Sequence, residues 1–393
     1  MTVLYFADTR FPIERANGVQ TMATCQALAT RGHDVTLVTR PDTGIAAPRD
    51  PFAFYGLAPT SMLTWRTIPA RTDRRASRVA FLVGALAIAL GHREAVVYTR
   101  DLGLAAFLAR VPAARRPRLV YESHGIAPVV SAELPTLLGQ PALAPSAAKL
   151  RRLDRRERRV WTRAAGYVTI THALAGDLAA RYGPRPDVVV APDGAAEAPA
   201  APATRDAAPV AAYAGHLYPW KGADVFVRAL AQAPDVRGLI VGGHPAERDR
   251  ARIDALAAAV GVAGRLEMTG LVPSSDVGTH LARATVLVLP NVATTISDRY
   301  TSPLKLFEYL WTGLPIVASD LAAIREVLTD GLTALLDPPD AAGALAQALV
   351  RVSTDRTLAS TLGAAARALA PRFTWHARAA RLEAALVGAT AAS

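Results

Sequence analysis

The chain carries one cysteine, Cys25, in 393 residues. An intrachain disulfide is therefore impossible and no thiolate cluster can hold zinc, which points to a reducing compartment, the cytoplasm, as its location. No basic stretch precedes the strand-like Met1-Thr-Val-Leu-Tyr-Phe6, so no secretory leader is expected. The longest apolar run, Val79 to Leu90, is shorter than the roughly 20 residues of a spanning helix. Aromatic residues make up only 6% of the chain and no stacking platform is visible, which argues against a nucleic-acid partner. Asp-x-Asp is absent and the histidines form no ligand cluster, so no metal and no other cofactor is expected. The first strand is followed by a long loop with one glycine, Gly18, where a nicotinamide or flavin fold would place GxGxxG in a short turn.

What is present is basic, with a formal net charge of +11 and an isoelectric point near 10.3, which suits an anionic ligand, a nucleic acid or a membrane face. Half of the residues are hydrophobic, enough for two ordinary domains. Short β-branched runs alternate with Ala/Leu/Arg-rich stretches of helical period, the pattern of βα units around a parallel sheet. Strands are predicted near 3–6, 35–39, 95–98, 119–122, 167–170 and 188–190, then near 210–214, 238–241, 266–269, 286–289, 316–318 and 334–336. The expected fold class is thus α/β, with two Rossmann-like doubly wound domains facing a cleft. They comprise a first domain over 1–192, a linker over 193–208 and a second domain over 209–371, with a final helix over 374–393 packing back on the first.

The most informative stretch is Asp298-Arg-Tyr-Thr-Ser-Pro-Leu-Lys-Leu-Phe-Glu308-Tyr-Leu-Trp-Thr-Gly313. Thr301 and Ser302 can cap a helix that takes Pro303 in its first turn and ends at Gly313. Leu304, Leu306, Phe307, Leu310 and Trp311 share an apolar arc, leaving Lys305, Glu308 and Tyr309 outside it. A helix N-terminus with a carboxylate one turn inside suits a nucleotide diphosphate and its ribose. A surface helix with a Lys305–Glu308 pair would read the same way.

Three other places follow strands. His124, after Leu119-Val-Tyr-Glu122-Ser, could bond a sugar hydroxyl or stabilise developing charge, with Glu122 as a second contact or as the group that orients the ring; a histidine satisfied by its own loop is the alternative. Gly215 and His216 open the loop to Lys221-Gly222, where the lysine could hold phosphate oxygens or be merely solvated. Thr269-Gly-Leu271 could offer backbone groups to a base edge or be a simple strand exit. The run Lys149 to Arg159, with Leu150, Leu153, Val160 and Trp161 interleaved, is either the wet face of a packed helix or a peripheral contact with an anionic inner membrane over 149–163.

Gly215-His-Leu-Tyr-Pro-Trp-Lys221-Gly, Thr269-Gly-Leu-Val-Pro273, Ser302-Pro-Leu-Lys-Leu-Phe-Glu308, Gly313-Leu-Pro-Ile-Val-Ala-Ser319, Arg-Glu326-Val and Phe373-Thr-Trp375 resemble, in order and spacing, the retaining nucleotide-sugar glycosyltransferases of family 4, which have the GT-B fold. The first half resembles them only in layout, at Gly18, His124 and Thr171, and the resemblance implies that the domain over 1–192 binds the acceptor and the one over 209–371 the nucleotide-sugar donor. The resemblance implies a retaining, metal-independent hexosyl transfer from a nucleotide diphosphate sugar, with UDP favoured, to a glycan, lipid-linked or small-molecule acceptor. It implies His124, Lys221 and Glu308 as the catalytic set: His124 on the transferred sugar, Lys221 on the diphosphate and Glu308 on the ribose. It places Gly18 by the diphosphate, Leu271 at the base, and Gly215, His216 and the segment Tyr300, Thr301, Ser302, Pro303, Leu304 and Lys305 around phosphate or sugar. Two positions depart from it. His216 stands where arginine is usual, and Tyr300 where a glutamate usually holds a donor-sugar hydroxyl. The alternatives are a nucleotide-sugar epimerase of similar fold and a catalytically silent binding subunit.

Overall fold

The computed structural model describes residues 1–42, 49–69, 73–198, 208–243 and 248–391. They form two compact units, one of Met1–Ala132, Pro145–Asp193 and Trp375–Ser393, the other of Glu133–Ala144 and Gly194–Thr374.

The first unit holds a wholly parallel sheet of β1 (Thr2–Phe11), β2 (Asp34–Pro41), β3 (Leu63–Thr67), β4 (Val96–Thr99), β5 (Arg118–Ser123), β6 (Gly166–Thr169) and β7 (Val188–Val190), in the order β3-β2-β1-β4-β5-β6-β7. Val3 of the central strand lies between Val35 and Val96. Central parallel strands are covered on both faces, which is why they read as unbroken apolar runs. One face carries the helices Ala16–Thr30 and Trp375–Ala391, whose Met22, Cys25 and Leu28, and Ala379, Leu382 and Leu386, pack on Val3, Tyr5, Val96 and Val120. The Val79–Leu90 run lies in the helix Arg74–Gly91, capped by the Asp73 carboxylate on the amide of Ala76. Among the described residues no helix is long and apolar enough to cross a membrane.

The second unit repeats the plan with β8 (Val210–Ala214), β9 (Arg237–Val241), β10 (Leu266–Met268), β11 (Val286–Leu289), β12 (Ile316–Ser319) and β13 (Leu335–Asp337), all parallel, in the order β10-β9-β8-β11-β12-β13. Strand alternation splits β11 between two cores. Leu287 and Leu289 meet Leu306, Phe307 and Leu310 on one face, and Val286 and Val288 meet Phe226, Leu230 and Leu349 on the other.

The structure corrects several details of the sequence reading. The edge strand β3 was not foreseen, because Leu-Thr-Trp-Arg-Thr is paired on one side only and mostly solvated, and so lacks an apolar run. Glu133–Ala144, inside the expected 1–192 range, belongs to the second unit, where Glu133 Oε1 accepts from the amide of Thr295 (3.0 Å). Residues 199–207 of the expected linker lie outside those described. The helix expected from Pro303 spans Leu304–Thr312, and Pro303 itself, rather than Thr301 or Ser302, holds the N-cap position with an extended backbone (ψ 119°). Gly313 ends it at φ +71°. Lys305 and Tyr309, expected outside the apolar arc, are buried. The Tyr309 hydroxyl accepts from the amide of Ala214 (2.7 Å), which ties the helix to the end of β8 and gives a polar atom a partner in the core.

Candidate functional site

In a parallel sheet the crevice opens beyond the carboxyl ends of the strands where their order reverses. In the second unit that point lies between β8 and β11. β8 ends at Ala214, and Gly215 (φ +129°) turns the chain into the loop that carries His216 to Lys221. Close contacts fix the loop: a Cβ on Gly222 (φ +72°) would sit 1.6 Å from the carbonyl oxygen of Pro290, just past β11. The Trp220 carbonyl accepts from the amide of Val292 (3.1 Å) and from Ser297 Oγ (3.2 Å). The rings of His216, Tyr218 and Trp220 form a ladder, with centroids 5.1 and 4.9 Å apart and planes within 16°. Tyr213 Oη donates to the His216 carbonyl (2.5 Å).

Lys305, in the first turn of the helix Leu304–Thr312, reaches into the same place. Only 8% of it is exposed, and its Nζ makes no hydrogen bond and lies 3.7 Å from the centroid of the Tyr213 ring. A Cβ on Gly215 would stand 3.7 Å from that Nζ. The surface pairing of Lys305 with Glu308 is therefore not what the chain adopts. Burial, and then the charge of Lys221, hold the Lys305 ammonium well below its ordinary pKa, with Glu308 opposing. Burial likewise lowers Lys221, to about 8. Two crowded amines at a helix N-terminus are costly in the empty protein and favourable around an anion with several oxygens. Glu308, one turn along, presents an exposed carboxylate, raised above the usual range by the protein around it and pulled down by Lys305. Tyr300, Thr301 and Pro303 are buried, with Ser302 and Leu304 half-buried. Leu271 is exposed beyond the edge strand β10, two strands from β8, so the structure does not bring its side chain to the lysines. Among the described residues no group of three or more His, Cys, Asp or Glu could hold a metal ion.

In the first unit the strand order reverses between β1 and β4, and the polar residues gather there and at the end of neighbouring β5. Glu122 is wholly buried and accepts from Gln20 Nε2 (2.8 Å), Arg378 Nη2 (2.7 Å) and the Tyr98 hydroxyl. His124 Nε2 lies 2.5 Å from Glu122 Oε1. An ionised carboxylate can only accept, so Nε2 carries the proton. Burial opposes the charge of Glu122, but Arg378, His124 and Arg100 outweigh it and hold the carboxyl below its usual range. Burial and the Arg100 charge lower His124 to about 4, against the pull of Glu122, so the imidazole is neutral at pH 7. Of the two roles open to Glu122, its inaccessibility selects the one that orients His124.

Gly18 lies inside the first turn of the helix Ala16–Thr30, its amide bonded to the Arg15 carbonyl (2.8 Å). A Cβ there would meet the Tyr55 hydroxyl at 2.3 Å and the Ile13 carbonyl at 2.6 Å, so only glycine fits at this turn. Thr171 caps the helix His172–Tyr182. The basic run forms the helix Ala147–Arg163, with Val160 and Trp161 buried, Leu150 and Leu153 half-buried, and Lys149, Arg151, Arg152, Arg155 and Arg158 exposed. Its apolar residues pack inward and its basic ones face outward.

Residues 17–194 match the family described as a glycosyl transferase 4-like domain, and residues 208–355 the one described as glycosyl transferases group 1. The chain belongs to glycosyltransferase family 4. A family-4 relative, D-inositol 3-phosphate glycosyltransferase of Kribbella flavida, is 28% identical over 48% of this chain and 45% of its own length. Phosphatidyl-myo-inositol mannosyltransferase of Mycobacterium tuberculosis is 34% identical over 40% of this chain and 41% of its own length. The chain spans about half the length of the curated relatives it matches. Among solved structures, sucrose-phosphate synthase of Thermosynechococcus elongatus superposes with a TM-score of 0.79 over all of both chains at 19% identity, and Anabaena HepE in complex with UDP with 0.73 over 98% of both at 16%. These likenesses establish the GT-B fold.

Within the family frame, two departures acquire surroundings. His216 is held by the aromatic ladder, and Tyr300 is buried. Sequence reasoning missed the Lys305 side chain, expected to act only through its amide, and Arg378 altogether. A signal existed for each. Only three of the 44 basic residues are lysine, and two of them, Lys221 and Lys305, meet here. Arg378 occupies an apolar position in the stripe Trp375, Ala379, Leu382, Leu386.

Proposed function

We propose that the protein transfers a hexosyl group, with retention, from a nucleotide diphosphate sugar to an acceptor hydroxyl, with a UDP-sugar as the favoured donor. The observation that carries this reading is the buried, unbonded Lys305 ammonium beside Lys221 at the reversal of the second sheet. As the bond to the anomeric carbon breaks, negative charge grows on the departing diphosphate. Lys221, Lys305 and the N-terminus of the helix Leu304–Thr312 are preset to receive it, and no metal is invoked. Glu308 would accept from the ribose hydroxyls, and the neutral His124 would bond a hydroxyl of the transferred sugar. The leaving diphosphate can itself take the acceptor's proton, so no side-chain base is required. Acceptors named for relatives include phosphatidyl-myo-inositol and 2-deoxystreptamine, which supports a lipid-linked, glycan or small-molecule hydroxyl without selecting among them. We place the enzyme in the cytoplasm, with the exposed arginines of Ala147–Arg163 free to meet an anionic surface.

Incubation with labelled nucleotide sugars and a panel of acceptors tests this. Glycoside formation is expected, with Lys221→Ala slowing turnover by roughly 10². A loss below threefold would remove Lys221 from the mechanism. Nucleotide binding without turnover in any pairing would favour the silent subunit, a reading that the departures at His216 and Tyr300 keep open.

A further inference from the structure

The first unit hides a charge relay of a positional kind. Glu122, at the end of β5, is wholly buried, and its neighbours arrive from four other elements: Gln20 from the helix Ala16–Thr30, Tyr98 from β4, Asp193 just past β7, and Arg378 from the C-terminal helix Trp375–Ala391. Arg378 is itself fully buried. It donates through Nη2 to Glu122 Oε1 (2.7 Å), through Nε to Thr24 Oγ1 (3.2 Å) and through Nη1 to the carbonyls of Ala191 and Pro192, the latter at 3.0 Å, with Asp193 Oδ1 3.8 Å away. A guanidinium is always charged, and a carboxylate with no water survives ionised only with such a partner. Without it the buried Glu122 would take up a proton and could then donate as well as accept.

We infer that Arg378 is a positioning residue for His124: by keeping Glu122 ionised it holds the His124 ring in the tautomer with hydrogen on Nε2, which leaves Nδ1 as the ring's only acceptor. The role served is the sugar contact assigned to His124 above, and to that extent the inference rests on the glycosyltransferase reading. Arg100 sits on the same network, donating to Gln20 Oε1, and its charge further disfavours a doubly protonated ring. The imidazole is therefore locked in ring orientation and in proton placement by a residue encoded at the far end of the chain. Such second partners fix the tautomer of working histidines generally, because each ring nitrogen's role is set by the bond the other makes.

The test is nitrogen NMR of the full-length protein with ¹⁵N-labelled histidine, which reads protonation at each ring nitrogen directly. His124→Gln identifies the His124 signal among the eight histidines. Wild-type protein at pH 7.5 should show the Nε2–H form of His124. Arg378→Lys keeps a cation beside Glu122 and should keep the wild-type tautomer, whereas in Arg378→Met the carboxyl should take up a proton and become able to donate to Nε2. There the Nδ1–H form should appear, with kcat lower by roughly tenfold, the worth of one hydrogen bond in the transition state, and KM for the nucleotide sugar within threefold. Glu122→Asp, which stays an acceptor, should keep the wild-type tautomer. An unchanged tautomer in Arg378→Met, or a changed one in Arg378→Lys, overturns the inference, whatever happens to the rate. So does a changed tautomer with unchanged kcat. Failure of the wild-type protein to turn over any nucleotide sugar would sink the transferase reading instead, and the NMR result would stand apart from it.

Discussion

Replacing Lys305 with methionine keeps the unbranched stem and removes a buried ammonium that has no hydrogen bond. In the empty protein a buried polar group without a partner costs about 1–3 kcal/mol, of which the Tyr213 ring returns about 0.5–2 as a cation–π contact. The variant should therefore be more stable by about 1 kcal/mol, or roughly 2–4 °C in melting temperature for a unit of this size. With nucleotide diphosphate bound the sign reverses. A charge-assisted bond worth about 1.5–3 kcal/mol disappears, so affinity for UDP should fall roughly 10- to 150-fold. The pH dependence follows from linkage. The folded protein holds the Lys305 pKa below the ordinary 10.5, so between the two values the unfolded chain binds more protons and wild-type stability climbs as pH rises. The advantage of methionine should thus shrink as pH rises and vanish by about pH 10.5. Calorimetric melting at several pH values, with UDP titrations on both proteins, reads every term. A variant that melts lower than wild type at pH 7, or binds UDP as tightly, would refute the reasoning.

Other perturbations are simpler. Gly222→Ala drives a Cβ to 1.6 Å from the Pro290 carbonyl at a left-handed residue, and should cost more than about 3 kcal/mol, seen as lost soluble yield or a much lower melting temperature; a shift under about 3 °C would mean the loop is not held there. Glu308→Gln should weaken nucleotide binding about tenfold by calorimetry, and unchanged affinity would end its ribose role. Because Lys221 titrates near 8 when free, nucleotide binding at pH 8 should draw in roughly half a proton or more. Titrations in buffers of different ionisation enthalpy measure that uptake, and none at all would clear both lysines of diphosphate contact.

The fold was legible wherever burial was two-sided. β11 and β12 read as strands because all of Val286–Leu289 and Ile316–Ser319 are enclosed, whereas β3, solvated along an edge, left no periodic trace. The helix Leu304–Thr312 was visible from its apolar stripe, but Tyr309 and Lys305 showed that amphipathic counting misjudges long side chains whose polar tips find work inside. His124 and Glu122 could be paired from adjacency. Arg378 could not, because its partners Thr24, Glu122, Ala191 and Pro192 lie far upstream and only the folded sheet brings them together.

The C-terminal helix imposes an order of assembly. The cation that balances Glu122 is encoded 256 residues downstream, after the last residue of the second unit. Until then Glu122 lacks its buried counter-charge, so the first sheet completes its polar core only when the last helix docks.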